Sequence, residues 1–220
     1  MIDKEKIYRY LGYNPNTNIL TPNIKKMVDD GIKEILEKTT KKYLFSPILP
    51  VNIDKTTYIS DLELKGEDIK AHLKGCSHGV LFCATLGGFV DNLIRKNETI
   101  NMTKAVILEA ICNVLIEDIA DEAENEFRNK LKEEKLYLTE RYSPGYGDLP
   151  LSLQKDILLY TDAGRKIGLT VTDSGIMIPK KSITAILGVA NIPVKGKLAS
   201  CKNCILKDKC VYRKQGVTWN

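Results

Sequence analysis

A chain of 220 residues with 43% hydrophobic and 28% charged residues can bury a sizeable core as one large domain or two small ones, and this composition excludes disordered, collagen-like and low-complexity classes. The net charge of +5 is unevenly spread: over residues 180–220 nine Lys or Arg stand against Asp208 alone, giving +8 and leaving −3 for the remainder. No run of five basic residues occurs and aromatic residues are few, so nucleic acid is not an expected partner.

Residues 4–11 form the first predicted helix, stopped by Gly12 and Asn14-Pro15. Thr21 before Pro22 supplies an N-cap and a first-turn proline for an amphipathic helix on which Ile24, Val28, Ile32 and Ile35 recur at spacings of three and four. Extended segments follow at 43–51, punctuated by Pro47 and Pro50, and at 56–64. A short helix at 67–74 closes at Gly75, a buried strand spans 78–85, and the turn Thr85-Leu-Gly-Gly leads to a helix at 89–96. The longest predicted element, 103–134, places Leu108, Ile111, Cys112, Leu115, Ile119, Ala123, Phe127 and Leu131 on one face and would extend roughly 48 Å. A strand at 136–140, a turn-rich block at 141–150, a helix at 151–160 and strands at 167–171 and 182–190 complete the pattern. No internal repeat or long linker interrupts it. The expected architecture is one α+β domain over residues 1–195, followed by a basic, cysteine-bearing tail at 196–220. The longest apolar stretch, 79–90, falls short of the roughly 20 residues that span a bilayer. The charged start, Met1-Ile-Asp-Lys-Glu-Lys, lacks the apolar run of a secretory signal, so no membrane partner and a cytoplasmic location are expected.

The six cysteines divide in two groups. Cys76, Cys83 and Cys112 lie in apolar segments and read as small buried hydrophobes. Cys201, Cys204 and Cys210 sit in the Lys-rich tail with two and then five intervening residues, a spacing that offers three thiolates to an iron-sulfur cluster or zinc, with a fourth ligand from elsewhere. A metal-free turn is the alternative, and the spacing leaves both open. His72 and His78, close to Gly75 and Gly79, read as structural, and no Ser-His-Asp motif is recognisable.

The stretch Arg141-Tyr-Ser-Pro-Gly-Tyr146-Gly-Asp-Leu-Pro150 is the most unusual in the chain. Two prolines and two glycines in ten residues define a shaped loop rather than a helix or central strand. Gly145 lets the backbone approach a ligand closely. Arg141 offers a planar fork suited to a carboxylate, and Tyr142 or Tyr146 a flat face for an adenine or a sulfonium. Residue types alone leave a second reading open, a tight surface turn whose arginine pairs with a nearby acid. Asp148 can contact a ribose hydroxyl or cap the helix that follows, capping being the preferred reading.

The block resembles the Arg-x-x-x-Gly-Tyr motif of the S-adenosylmethionine-binding activation domain of vitamin B12-dependent methionine synthase. Two further stretches resemble that family in the same order: the acidic helix Leu115-Ile-Glu-Asp-Ile-Ala-Asp-Glu-Ala-Glu-Asn-Glu-Phe-Arg128, and Leu169-Thr-Val-Thr-Asp-Ser-Gly-Ile-Met-Ile-Pro179 with the strand after it. The likeness covers about residues 105–192. It implies an α+β domain with a twisted, mostly antiparallel sheet and a long helix. It also implies that Arg141 holds the methionine carboxylate of S-adenosylmethionine, that Ser143 and Gly145 line the adenosyl portion with Tyr146 packed beside them, and that Glu117 lies near the cationic amino-acid end. Two departures stand out: 192–197 contains no tyrosine where the family has ligand-touching ones, and Gly147-Asp-Leu-Pro150 replaces the family's Pro-Ala-Cys-Pro.

A chain of this length has no room for the substrate, folate and cobalamin modules of a full methionine synthase. The resemblance therefore implies a stand-alone reactivation subunit that supports reductive methylation of cob(II)alamin on a separate methionine synthase subunit or other corrinoid protein, with an electron donor such as flavodoxin or ferredoxin. The alternatives are a non-catalytic partner of a corrinoid protein and an iron-sulfur electron-transfer protein.

Overall fold

The computed structural model describes residues 2–13, 20–194, 196, 208 and 209. The metal expectation for Cys201, Cys204 and Cys210, and nearly all of the proposed tail 196–220, lie outside the described residues.

Helix α1 (Lys4–Tyr10) starts at Asp3, whose carboxylate accepts from the Glu5 and Lys6 amides at 2.9 and 3.3 Å. Helix α2 (Pro22–Lys38) is capped as expected, with Thr21 Oγ1 accepting from the Ile24 amide at 3.4 Å. The two predicted extended segments are four short strands, β1 (Lys42–Phe45), β2 (Leu49–Ile53), β3 (Thr57–Ile59) and β4 (Leu62–Leu64). Helix α3 (Glu67–His72), the buried strand β5 (His78–Thr85), helix α4 (Gly88–Ile100) and the 32-residue helix α5 (Met102–Glu133) follow where the periodicity places them. Then come β6 (Tyr137–Leu138), α6 (Leu153–Thr161), α7 (Ala163–Ile167), β7 (Thr170–Val171), β8 (Met177–Ile178) and β9 (Ser182–Ala190).

One expected strand, 167–171, is corrected. Ile167 ends the short helix α7, and Gly168, at φ 71°, turns the chain out of it before β7. The β-branched residues around that glycine gave a strand signal, but the left-handed glycine is a helix stop.

The main sheet has seven strands among the described residues, in the order β4-β3-β2-β5-β9-β6, with β1 also paired to β5. The β2–β3, β3–β4, β2–β5 and β6–β9 pairings are antiparallel, and β7–β8 is a separate antiparallel hairpin. An α+β fold with a mostly antiparallel sheet and one long helix is thus as expected.

The chain divides into two compact units. The first comprises Met1–Leu44, Cys83–Glu126 and Asp162–Ile183. Within it, Gly31 of α2 sits so close to α5 that a Cβ there would come within 2.8 Å of Ile111 Cδ1. Lys181 Nζ is held by Glu109 and, at 2.8 Å, by Asn113 Oδ1. The second unit comprises Phe45–Phe82, Phe127–Thr161 and Thr184–Asn220. Its core includes the fully buried Ile59, Leu73 and Leu187, and the half-buried rings of Phe45 and Phe127 stack with centroids 4.4 Å apart. Cys76, Cys83 and Cys112 are all buried thiols outside any disulfide, as read from the sequence, and burial pushes the Cys76 and Cys112 thiols up to about 11 and about 12. Among the described residues no helix is long and apolar enough to cross a membrane.

Candidate functional site

Within the second unit, β6 leads into the loop 141–150. Proline and glycine keep this segment out of regular structure, and its own hydrogen bonds give it shape. Tyr142 and Ile186 of β9 exchange both backbone bonds at 2.9 Å, Tyr146 N donates to Ser143 O at 3.0 Å, and Gly145 N donates to Leu149 O at 2.9 Å. Gly145 and Gly147 take φ values of 90° and 52°, which favour glycine. Pro144 and Leu149 turn inward, whereas Gly145, Tyr146 and Gly147 are exposed and Arg141 and Ser143 are half-buried. The structure therefore brings Arg141, Ser143, Gly145 and Tyr146 together on one loop. Glu117 belongs to the first unit, on an exposed position of α5.

Asp148 is a cap, but not of the helix that follows. Its carboxylate accepts from the Glu67 and Asp68 amides of α3 at 2.7 and 3.1 Å. Helix α3 begins at Gly66, which has no side chain to cap it, and a Cβ there would meet Asp148 Oδ1 at 2.5 Å. The loop thus supplies the missing cap from about eighty residues away, and in exchange is tied down at its far end.

Under the loop, Tyr142 is only 2% exposed, with its ring 5.9 Å from that of Tyr146 in an edge-on arrangement and 4.9 Å from the imidazole of His72. His72 is fully buried, its Nε2 3.0 Å from Thr139 Oγ1. That hydroxyl donates to Glu140 O and accepts from Gly188 N, so its remaining lone pair receives the Nε2 proton of His72. Both histidines are thus accounted for locally, since Nδ1 of the exposed His78 lies 2.9 Å from Ser77 Oγ. Sequence reasoning missed this support: no local pattern announces a Thr-His contact between residues 67 positions apart.

Burial, with smaller contributions from the charges of Asp68 and Asp148, pushes the Tyr142 hydroxyl from the usual 10 up to about 12. Between those values the folded protein keeps a proton that the unfolded chain has lost, so stability falls as pH rises through this window. Alkaline unfolding followed by circular dichroism should show a loss between pH 10 and 12 that Tyr142→Phe reduces. Because the Cys76 and Cys112 thiols titrate in the same range, the difference between wild type and variant is the quantity to read, and identical profiles would refute the assignment.

Among the described residues no cluster of three His, Cys, Asp or Glu side chains is arranged to hold a metal ion. The class defined by these elements is an α+β fold with a mostly antiparallel sheet and one long helix. That fold is shared with a solved structure, the MetH reactivation domain bound to AdoHcy, with a TM-score of 0.67 at 15% identity, over 98% of this chain and 82% of that one. No family model matches the sequence, and no curated protein matches it.

Proposed function

We propose that this protein binds S-adenosylmethionine at the 141–150 loop and supports the reductive methylation of cobalamin carried by a separate corrinoid protein. The observation that carries the reading is the fold shared with the MetH reactivation domain over nearly the whole chain, with an Arg-x-x-x-Gly-Tyr loop leaving the β6 edge. The residues fit such a ligand. Arg141 offers a half-buried guanidinium to a carboxylate, Gly145 leaves loop backbone exposed, and Tyr146 keeps an exposed aromatic face.

S-adenosylmethionine supplies the methyl group, and the partner's cobalamin, reduced by one electron from a flavodoxin- or ferredoxin-type donor, receives it as S-adenosylhomocysteine is released. The chain's own residues then need neither general base nor nucleophile. Their work is orientation, with Arg141 fixing the amino-acid end and the loop backbone the nucleoside, so that the sulfonium methyl faces outward. The test combines a methionine synthase lacking its reactivation module and loaded with cob(II)alamin, titanium(III) citrate, S-adenosylmethionine and this protein. A methylcobalamin spectrum should appear only in the complete mixture; the same spectrum without the protein would overturn the reading.

A further inference from the structure

The β6–β9 ladder contains an irregularity directly at the candidate site. Leu138 lies opposite Val189, and Thr139 N donates to Gly188 O at 2.9 Å. Pairing resumes where Tyr142 lies opposite Ile186. The chain therefore advances three residues on one strand against two on the other, and Glu140 and Arg141 together oppose Leu187. This is a β-bulge, a device that re-aims side chains beside functional sites. Its effect is visible in burial. Residues three apart in a regular strand face opposite sides, yet Thr139 and Tyr142 are both buried and both meet His72, while Glu140 is exposed and Arg141 half-buried. One extra residue thus keeps the anchors Thr139 and Tyr142 on the core face, with Arg141 half-buried between them.

A bulge frees backbone groups from the ladder, and one residue takes them up here. Gly188 N, which would otherwise bond Thr139 O, donates to Thr139 Oγ1 at 2.8 Å instead. The displaced carbonyl of Thr139 accepts from Arg128 Nη2 at 3.4 Å, the carbonyl of Leu138 accepts from Arg128 Nη1, and Glu140 Oε1 lies 3.7 Å from Nη2. A single guanidinium from the end of α5 thereby engages three consecutive residues leading to Arg141. Because β6 is the last strand in the sheet order, its outer carbonyls have no further strand to pair with among the described residues. A planar fork of donors suits this task where a lysine does not.

We infer that Arg128 is a positioning residue for the ligand carboxylate: it holds the Glu140–Arg141 bulge and so aims the Arg141 guanidinium. The inference rests on the proposed S-adenosylmethionine site. It predicts that loss of Arg128 is felt only by ligands with a carboxylate, and only while Arg141 is present. Calorimetric titration with S-adenosylmethionine and with 5′-methylthioadenosine, which keeps the thioether nucleoside but lacks the amino-acid end, separates this from general destabilisation. Arg128→Met should weaken S-adenosylmethionine binding about tenfold, with 5′-methylthioadenosine changed less than about twofold, and should cost nothing further in an Arg141→Ala background. Arg128→Lys, which keeps the charge but only a single donor nitrogen, should recover part of the loss and serves if the methionine variant fails to fold.

Equal losses for both ligands, or losses that add to those of Arg141→Ala, would show a merely structural role and overturn the inference. So would a wild-type protein that binds S-adenosylmethionine through Arg141 with no effect of either Arg128 variant, in which case the ligand reading stands. A wild type with no affinity for S-adenosylmethionine overturns both.

Discussion

Arg141→Ala should weaken S-adenosylmethionine binding by about ten- to a hundredfold. Hydrogen bonds to charged groups contribute about 1.5–3 kcal/mol, and each 1.4 kcal/mol is a factor of ten in affinity. The upper part of that range is reached when the pair is sheltered from water and the geometry is fixed. Both conditions favour Arg141: it is half-buried, and it follows a strand whose backbone is anchored on both sides of it, by Thr139 to Gly188 and by Tyr142 to Ile186. Lysine at this position would keep the charge but lose the planar fork, so Arg141→Lys should recover only part of the affinity. Isothermal calorimetry reads both variants, and an Arg141→Ala protein with wild-type affinity would dissolve the site assignment while leaving the fold untouched.

The elements legible from the sequence are those whose signal is local and repeated. Strand β5 and strand β9 were bounded correctly because each is a continuous apolar run buried along nearly its whole length, flanked by glycine, proline or a polar turn. Helix α5 announced itself by the three- and four-residue spacing of apolar residues from Leu108 to Leu131, and α2 by Thr21-Pro22. Two kinds of element were missed. Helix α7 has only five residues, too few for a period to show, and ends in the same glycine that made the next residues look like the interior of a strand. The edge region 43–64 is cut into four strands by turns whose position depends on which strand each pairs with.

The site shows the same division more sharply. Its loop was visible because proline, glycine, arginine and tyrosine crowd ten residues, and these types constrain the backbone wherever they stand. Its supports were not. The capping character of Asp148 is a property of the residue, but the helix it caps is α3 rather than α6, a fact set by a contact across about eighty positions. Arg128 looked like one more charge on an acidic helix, and its partners are main-chain carbonyls, which leave no mark in the sequence. The bulge exists only in the difference between two pairings, 139 with 188 and 142 with 186.

Gly188 connects the core to that bulge, and Gly188→Ala should destabilise the protein by about 2 kcal/mol, within the roughly 1–3 kcal/mol typical of overpacking a core. Glycine inside a strand ordinarily forgoes packing and adds chain entropy, but at this position it is required by close packing. A Cβ at 188 would lie 2.4 Å from Cys76 Sγ, 3.2 Å from Cys76 Cβ and 3.1 Å from Leu73 Cδ2, so the space opposite the glycine is already filled by two buried side chains. Cys76 has a short side chain with little room to turn aside, and the remaining way to relieve the clash is to move β9 itself. That movement would carry Gly188 N and O, which bond Thr139 Oγ1 and Thr139 N, away from the first residue of the bulge. The loss should therefore appear twice, in denaturant unfolding and as weaker S-adenosylmethionine binding. Cys76→Ala removes the sulfur that the new methyl would strike, so the double variant Cys76→Ala/Gly188→Ala should be more stable than the sum of the single changes predicts. Strict additivity would mean that the glycine is tolerated for another reason, and that the close approach of β9 to Cys76 does not govern the strand's position opposite Arg141.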